Sequence, residues 1–264
     1  MSIRLLVFDS GIGGLSVLRE IRRNLPSAEI AYVADDAAFP YGDWEAGPLL
    51  EHIVALIGRL IARFQPDAVV IACNTASTLV LPALRAAHPI PFIGTVPAIK
   101  PATERTKSGV IGVLATPGTM KRDYTRELIR SFAQRCHVRL VGSSELAPLA
   151  ERVMAGEDVP DEAIRTEIEP AFIEVDGRRT DVVVLACTHY PFLLERFDRL
   201  APWPVAWVDP AEAIARRVLS VLGREPDPEG TPLNKGGAYL TSAKDWSHNL
   251  TGLLAQCGLE PRAG

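Results

Sequence analysis

Residues 66–77 read PDAVVIACNTAS. After Asp67, a β-branched apolar run ends in the thiol of Cys73, followed at once by Asn74 and Thr75. A short continuous apolar run bounded by polar residues reads as a strand buried on both faces, as in a parallel sheet. Residues 180–191, TDVVVLACTHYP, repeat the pattern: Asp, apolar run, Ala, Cys, then a polar pair containing Thr. Upstream, IRLLVFDSGIGGLS (3–16) has a weaker partner in SGVIGVLATPGTMK (108–121), and the interval from Asp9 to Cys73 nearly matches that from Thr116 to Cys187. Two copies of one unit, of roughly 100 residues each, account for this.

Working outward, 3–8, 29–34, 67–72, 109–114, 138–142 and 181–186 read as buried parallel strands. Residues 14–25, 49–64, 77–88 and 119–135 carry apolar residues at helical spacing. Alternation of this kind predicts an α/β fold in which helices cover both faces of a parallel sheet. The expected architecture is two pseudo-symmetric lobes, each a three-layer αβα unit. The first takes residues 1–97 and 209–264 and carries Cys73; the second takes 98–208 and carries Cys187. Facing lobes would bring both cysteine-bearing strand ends to one cleft, where α/β proteins bind ligands. Near the end, DPAEAIARRVLSVLG predicts a helix with Asp209 as N-cap, Pro210 at its first position and a stop at Gly223. The Pro- and Gly-rich stretch 223–237 reads as a loop.

Composition narrows the function. A hydrophobic share of 47%, a charged share of 23% and a net charge of -4 over 264 residues describe an ordinary globular protein without the basic footprint of a nucleic-acid binder. The N-terminus is a strand without a signal-peptide pattern, and no apolar run approaches the ~18 residues of a membrane span. The four cysteines are widely spaced, so they read as reduced thiols in a cytoplasmic protein, not as a disulfide framework.

Single motifs leave alternatives open. The loop DSGIGGLS (9–16) lies between a strand and a helix, so its N–H groups suit an anion. A dinucleotide site is disfavoured, because Asp9 would repel a pyrophosphate and Ser16 replaces the third small residue of that fingerprint. The preferred reading is a helix start that receives a carboxylate or ammonium group, with Asp9 and Ser10 as side-chain partners; a bare structural turn is the plain alternative. Cys73 alone would be a buried small residue, whereas His189, two positions after Cys187, is placed to tune a thiol. A zinc site lacks ligands at useful spacing. Cys136 and Cys257 read as packing residues, and His52, His88, His137 and His248 as structural or solvated. What separates Cys73 and Cys187 from these is their equivalent place in the repeat, as expected of two opposed acid/base groups.

Taken together, DSGIGGL (9–15), PYG (40–42), ACNTAS (72–77), GTVPAIKPA (94–102), ATPGT (115–119) and CTHYPFL (187–193) resemble the bacterial glutamate racemases. The resemblance implies a cofactor-independent, metal-free enzyme that interconverts L- and D-glutamate and supplies D-glutamate for peptidoglycan. It also implies a homodimer that binds neither nucleic acid nor membrane. Such chemistry removes the α-proton from one face and returns one to the other, so it needs two opposed groups, one thiolate and one thiol. A free thiol's pKa of ~8.5 suits either role after modest tuning. Residue by residue, the resemblance implies Cys73 and Cys187 as the acid/base pair, Asp9 and His189 as their tuners, and Glu151 as the residue that orients His189. Ser10, Asn74, Thr75 and Thr188 would hold the α-amino and α-carboxylate groups, Tyr41 and Gly42 would contact substrate from their turn, and Thr116 and Thr119 are further candidates. The segment DWEAGPLL (43–50) departs from the family pattern. The chain begins close to its first strand, so activation by a nucleotide-linked cell-wall precursor is not expected. The runner-up readings are a sister racemase acting on aspartate or a hydantoin, and a non-catalytic amino-acid-binding module.

Overall fold

The structure, a computed structural model, describes residues 3–231 and 236–263. The chain opens with β1 (Arg4–Asp9), α1 (Leu15–Asn24), β2 (Glu29–Ala34), α2 (Ala46–Phe64), β3 (Ala68–Ile71), α3 (Asn74–Ala87) and β4 (Phe92–Gly94). It continues through α4 (Ile99–Arg105), β5 (Val110–Ala115), α5 (Pro117–Met120), α6 (Asp123–Phe132), β6 (His137–Gly142), α7 (Leu146–Met154) and α8 (Asp161–Ile168). A small hairpin, β7 (Glu174–Val175) and β8 (Arg178–Arg179), precedes β9 (Val182–Ala186), α9 (Leu194–Leu200) and β10 (Ala206–Val208). The last elements are α10 (Ala211–Leu222), β11 (Gly236–Leu240), α11 (His248–Gln256) and β12 (Leu259–Pro261).

Two parallel sheets result, and they give the α/β architecture that the repeat predicted. One runs β12-β11-β2-β1-β3-β4, the other β10-β9-β5-β6. Each has the same central pair. β1 lies beside β3 with Phe8 opposite Ile71, and β5 beside β9 with Ala115 opposite Ala186. The chain leaves these paired ends at Asp9, Cys73, Thr116 and Cys187, so equivalent positions of the repeat lie at equivalent strand ends.

Strand alternation sends successive side chains to opposite faces, and both faces here are covered. Leu5 and Val7 pack with Leu18, Ile214 and Val218 of α1 and α10, while Leu6 and Phe8 pack with Ile53, Ile57 and Val80 of α2 and α3. In the second sheet Leu185 faces Leu149 and Phe197, and Val113 and Val184 face Ile99 and Ala102. Each such buried side chain contributes about 1.5–3 kcal/mol, which explains why these strands read as unbroken apolar runs.

Some expectations need correction. The predicted helix 119–135 is two helices, because Arg122 adopts extended backbone (ψ 135°) and the Thr125 hydroxyl takes the Thr119 carbonyl at 2.8 Å, closing the first turn. Predicted helix 49–64 begins earlier, at Ala46; Pro48 is tolerated because the first-turn N–H groups have no helical partner. Predicted helix 77–88 begins earlier too, at Asn74, directly after Cys73. In α10, Pro210 occupies the cap position, one residue before its expected place, while the Asp209 carboxylate still accepts the Ala211 N–H at 2.9 Å. Gly223 ends that helix in left-handed backbone, φ 61°. The predicted loop 223–237 gives Gly236 and Gly237 to β11, and its residues 232–235 lie outside the described residues. Strands β4, β10, β11 and β12 and the hairpin β7–β8 were not anticipated.

Gly112 on β5 faces a neighbour too close for any side chain. A methyl group there would lie 2.8 Å from the Ala171 carbonyl oxygen and 3.1 Å from Ala171 Cβ. Gly112→Ala is expected to destabilise the protein by about 1–3 kcal/mol through overpacking, read as a lowered urea midpoint; an unchanged midpoint would contradict this packing.

Candidate active site

The strand ends of both sheets open onto one cleft, holding about 390 Å³ not filled by protein atoms, part of it open to solvent. Its wall contains both cysteines, Cys73 and Cys187, together with Ser10, Tyr41, Gly42, Asn74, Thr75, Thr116 and His189. Four other expected residues, Asp9, Thr119, Glu151 and Thr188, stand behind this wall.

Cys73 directly precedes α3, with its thiol 3.8 Å from the Ser10 hydroxyl and near the N–H of Ala76. Burial and the neighbouring Asp9 carboxylate push this thiol well up, outweighing the Ala76 N–H and the Ser10 hydroxyl. Asp9 is completely buried and accepts from Ser10 Oγ at 3.1 Å, the Gly11 N–H at 3.0 Å and Thr188 Oγ1 at 2.9 Å. Burial raises its pKa to about 6 despite those donors and the His189 charge.

Cys187 has different surroundings. His189 Nδ1 lies 3.8 Å from its sulfur, and His189 Nε2 lies 2.9 Å from Glu151 Oε1. Burial alone would lower the imidazole's pKa, but its hydrogen bonds to Cys187 and Glu151, and their negative charges, win and hold it well above the ordinary histidine value. The two thiols therefore stand in opposite fields, a carboxylate beside one and an imidazolium beside the other.

The glycine-rich loop receives a carboxylate, but from the protein itself. The Ile12 N–H donates to Glu151 Oε1 at 2.8 Å, the same oxygen that holds His189. A methyl group on Gly13 would meet His189 Nδ1, and Thr188 Oγ1 at 2.6 Å, while one on Gly11 would collide with Glu151 Oε1. The glycines are thus needed so that side chains of the other sheet can lie against the loop. Across the cleft, Thr75 Oγ1 lies 2.8 Å from Thr116 Oγ1 and 3.4 Å from Thr119 Oγ1.

The sequence reading missed Phe39, Asp43, Ser143, Ser144 and Ala147 of the cleft wall. Ser143 carries a signal that was there to read: its hydroxyl accepts the Leu146 N–H at 2.9 Å at the start of α7, a serine placed just before an apolar helical run. Tyr41 lines the cleft, but its hydroxyl is already donated to Asp35 at 2.5 Å, so only its ring and backbone face a ligand. His52, expected to be structural or solvated, lies 2.6 Å from that same buried carboxylate.

Gly13→Ala is expected to displace the His189 ring and break its contact with Cys187, because the added methyl occupies the ring's place. A crystal structure of the variant with His189 unmoved would contradict this.

A model of the Asp/Glu/hydantoin racemase family matches residues 18–218. The chain is 61% identical over 243 residues to the glutamate racemase of Sinorhizobium medicae, covering 91% of this chain and 89% of that one. It is 59% identical over 241 residues to the glutamate racemase of Brucella canis, covering 91% and 87%. Its fold matches the crystal structure of Escherichia coli glutamate racemase in complex with L-glutamate and the activator UDP-MurNAc-Ala with a TM-score of 0.88, at 40% identity, over 99% of this chain and 97% of that one. The chain belongs to the Asp/Glu/hydantoin racemase family, among its glutamate racemases.

Proposed function

We propose that the protein interconverts L- and D-glutamate by proton transfer between Cys73 and Cys187 on opposite faces of the α-carbon. The observation that carries this reading is the pair of thiols, delivered by equivalent strand ends, in the wall of one cleft. One sulfur, as thiolate, takes the α-proton and the C–H electron pair passes to the carbon, delocalised into the adjacent carboxylate. The opposite thiol then gives its proton to the other face. In the return direction the sulfurs exchange roles, and no other redox or group-transfer partner is required.

The polar groups of the cleft suit an amino acid. Asn74 is buried at 2% exposure, yet neither its Oδ1 nor its Nδ2 has a partner among the described residues. Leaving both atoms unpaired is costly unless a ligand engages them; an ammonium group would satisfy the oxygen and a carboxylate the nitrogen. Ser10, Thr75 and Thr116 add hydroxyls beside them, and Thr119 supports Thr75 and Thr116 from behind. Preorganised donors of this kind stabilise charge that develops in the transition state. Asp9, carrying three donors, and His189, held by Glu151, set the field at each sulfur, and Thr188 ties Asp9 to the Cys187 segment.

The rest of the reading rests on the sequence and its resemblance: the repeat supports lobes of 1–97 with 209–264 and of 98–208, the unpaired cysteines a cytoplasmic location, and the resemblance no cofactor or metal, a homodimer and supply of D-glutamate for peptidoglycan. Among the described residues, no helix is long and apolar enough to cross a membrane.

Cys73→Ala and Cys187→Ala are each expected to lower glutamate racemisation by ~10³-fold or more, since each removes one essential acid/base group. Polarimetry checks this, and near-wild-type turnover in either variant would break the two-thiol assignment. The pKa of about 6 for Asp9 predicts a further effect. Above it Asp9 is a carboxylate that accepts all three donors; below it Asp9 is neutral and one of its oxygens becomes a donor. The kcat/KM profile is therefore expected to fall as pH drops through about 6, and Asp9→Asn should remove that limb. A limb that persists unmoved in the variant would assign it to another group.

A further inference from the structure

We propose that His52 and Asp35 are positioning residues for the reaction, holding the Tyr41–Gly42 wall of the substrate cleft through the Tyr41 hydroxyl. This rests on the reading of the cleft as the glutamate site.

Asp35 follows β2 and is only 1% exposed. Its carboxylate receives three side-chain donors. Tyr41 OH lies 2.5 Å and His52 Nε2 2.6 Å from Oδ2, and Thr241 Oγ1 lies 2.6 Å from Oδ1. Its backbone N–H donates to the carbonyl of Asp9 at 2.8 Å, so this anchor is fixed to the strand end that leads to the catalytic loop. A buried carboxylate is costly unless its oxygens are hydrogen-bonded, and here the donors come from three separate parts of the chain.

His52 is the only nitrogen donor among those three side chains, and it reaches Asp35 from α2. Its ring packs against Trp44 with centroids 5.5 Å apart, and Trp44 Nε1 donates to the Ala38 carbonyl at 2.9 Å. Both ends of the turn that bears Tyr41 are thus tied to one cluster. Trp44 belongs to the segment 43–50 in which the sequence departs from the family pattern, so the Trp44–His52 contact gives that departure a structural role. The turn itself presses across the cleft: a methyl group on Gly42 would lie 3.3 Å from Thr116 Cβ. Wherever the Asp35 cluster sets Tyr41, it sets the width of the cleft at Gly42. A group acting this way governs how well substrate is held and leaves the proton transfers between the sulfurs to proceed.

The test is steady-state racemisation of L- and D-glutamate by wild type, His52→Leu, His52→Gln, Tyr41→Phe and the His52→Leu/Tyr41→Phe double variant, with melting temperatures measured in parallel. His52→Leu and Tyr41→Phe are each expected to raise KM about five-fold with kcat within about two-fold, the scale of one hydrogen bond lost. The double variant should raise KM no more than the larger single change, because both act through Asp35. His52→Gln, which keeps an N–H donor, should return KM towards wild type. Unchanged KM in His52→Leu would overturn the proposal, as would a lowered melting temperature without a KM effect or a multiplicative double variant. Absence of glutamate turnover in the wild type would instead overturn the functional reading on which the proposal rests.

Discussion

One carboxylate oxygen joins the two halves of the site. Glu151 Oε1, carried by α7 of the second sheet's lobe, accepts the Ile12 N–H of the first and also pairs with His189. The glycine loop must stay bare for this contact, and His189 must face Glu151 in order to face Cys187. A helix start that could have bound an external anion is filled internally, and its N–H group helps fix the position of the His189 imidazole through Glu151.

The second constraint is the repeat. Taking a proton from one face of a carbon and returning one to the other requires two groups that approach from opposite sides. In the proposed reaction, two similar parallel sheets, each leading from a central strand into a cysteine, supply them without special loops. The copies are not equivalent in detail. Cys73 leads into a long α-helix, α3, whereas Cys187 is followed by a single short turn at Tyr190–Leu193 before α9. Asp9 and His189 add opposite charges, so a symmetric frame carries an asymmetric pair of thiols.

Much of this was legible in the chain. The paired ACNT and ACTH segments revealed the repeat and distinguished Cys73 and Cys187 from Cys136 and Cys257, which no motif accompanies. Central strands were readable because both faces are buried and the apolar runs are continuous. Four outer strands were not: β11, next to the edge of its sheet, begins Gly-Gly, and the edge strands β4, β10 and β12 have three residues each, too short for a period to register, whereas the six-residue edge strand β6 was readable. The single predicted helix over 119–135 failed because a threonine side chain competed successfully for a backbone carbonyl, which periodicity does not register.

The loop at 9–16 shows the limit most clearly. Its sequence announced backbone N–H groups in need of an anion, but the anion lies more than a hundred positions away in Glu151, which only the family resemblance had singled out. Asp35 and His52 were obscure for the same reason, since their meeting depends on how β2 and α2 pack. The central claim is that one thiol takes the α-proton and the other returns one, and early-time racemisation of L-glutamate in deuterated water tests it most directly. The account predicts that product D-glutamate carries deuterium at the α-carbon while recovered L-glutamate keeps its hydrogen. Deuterium entering both enantiomers equally from the start would point to a single base serving both faces, and would contradict it.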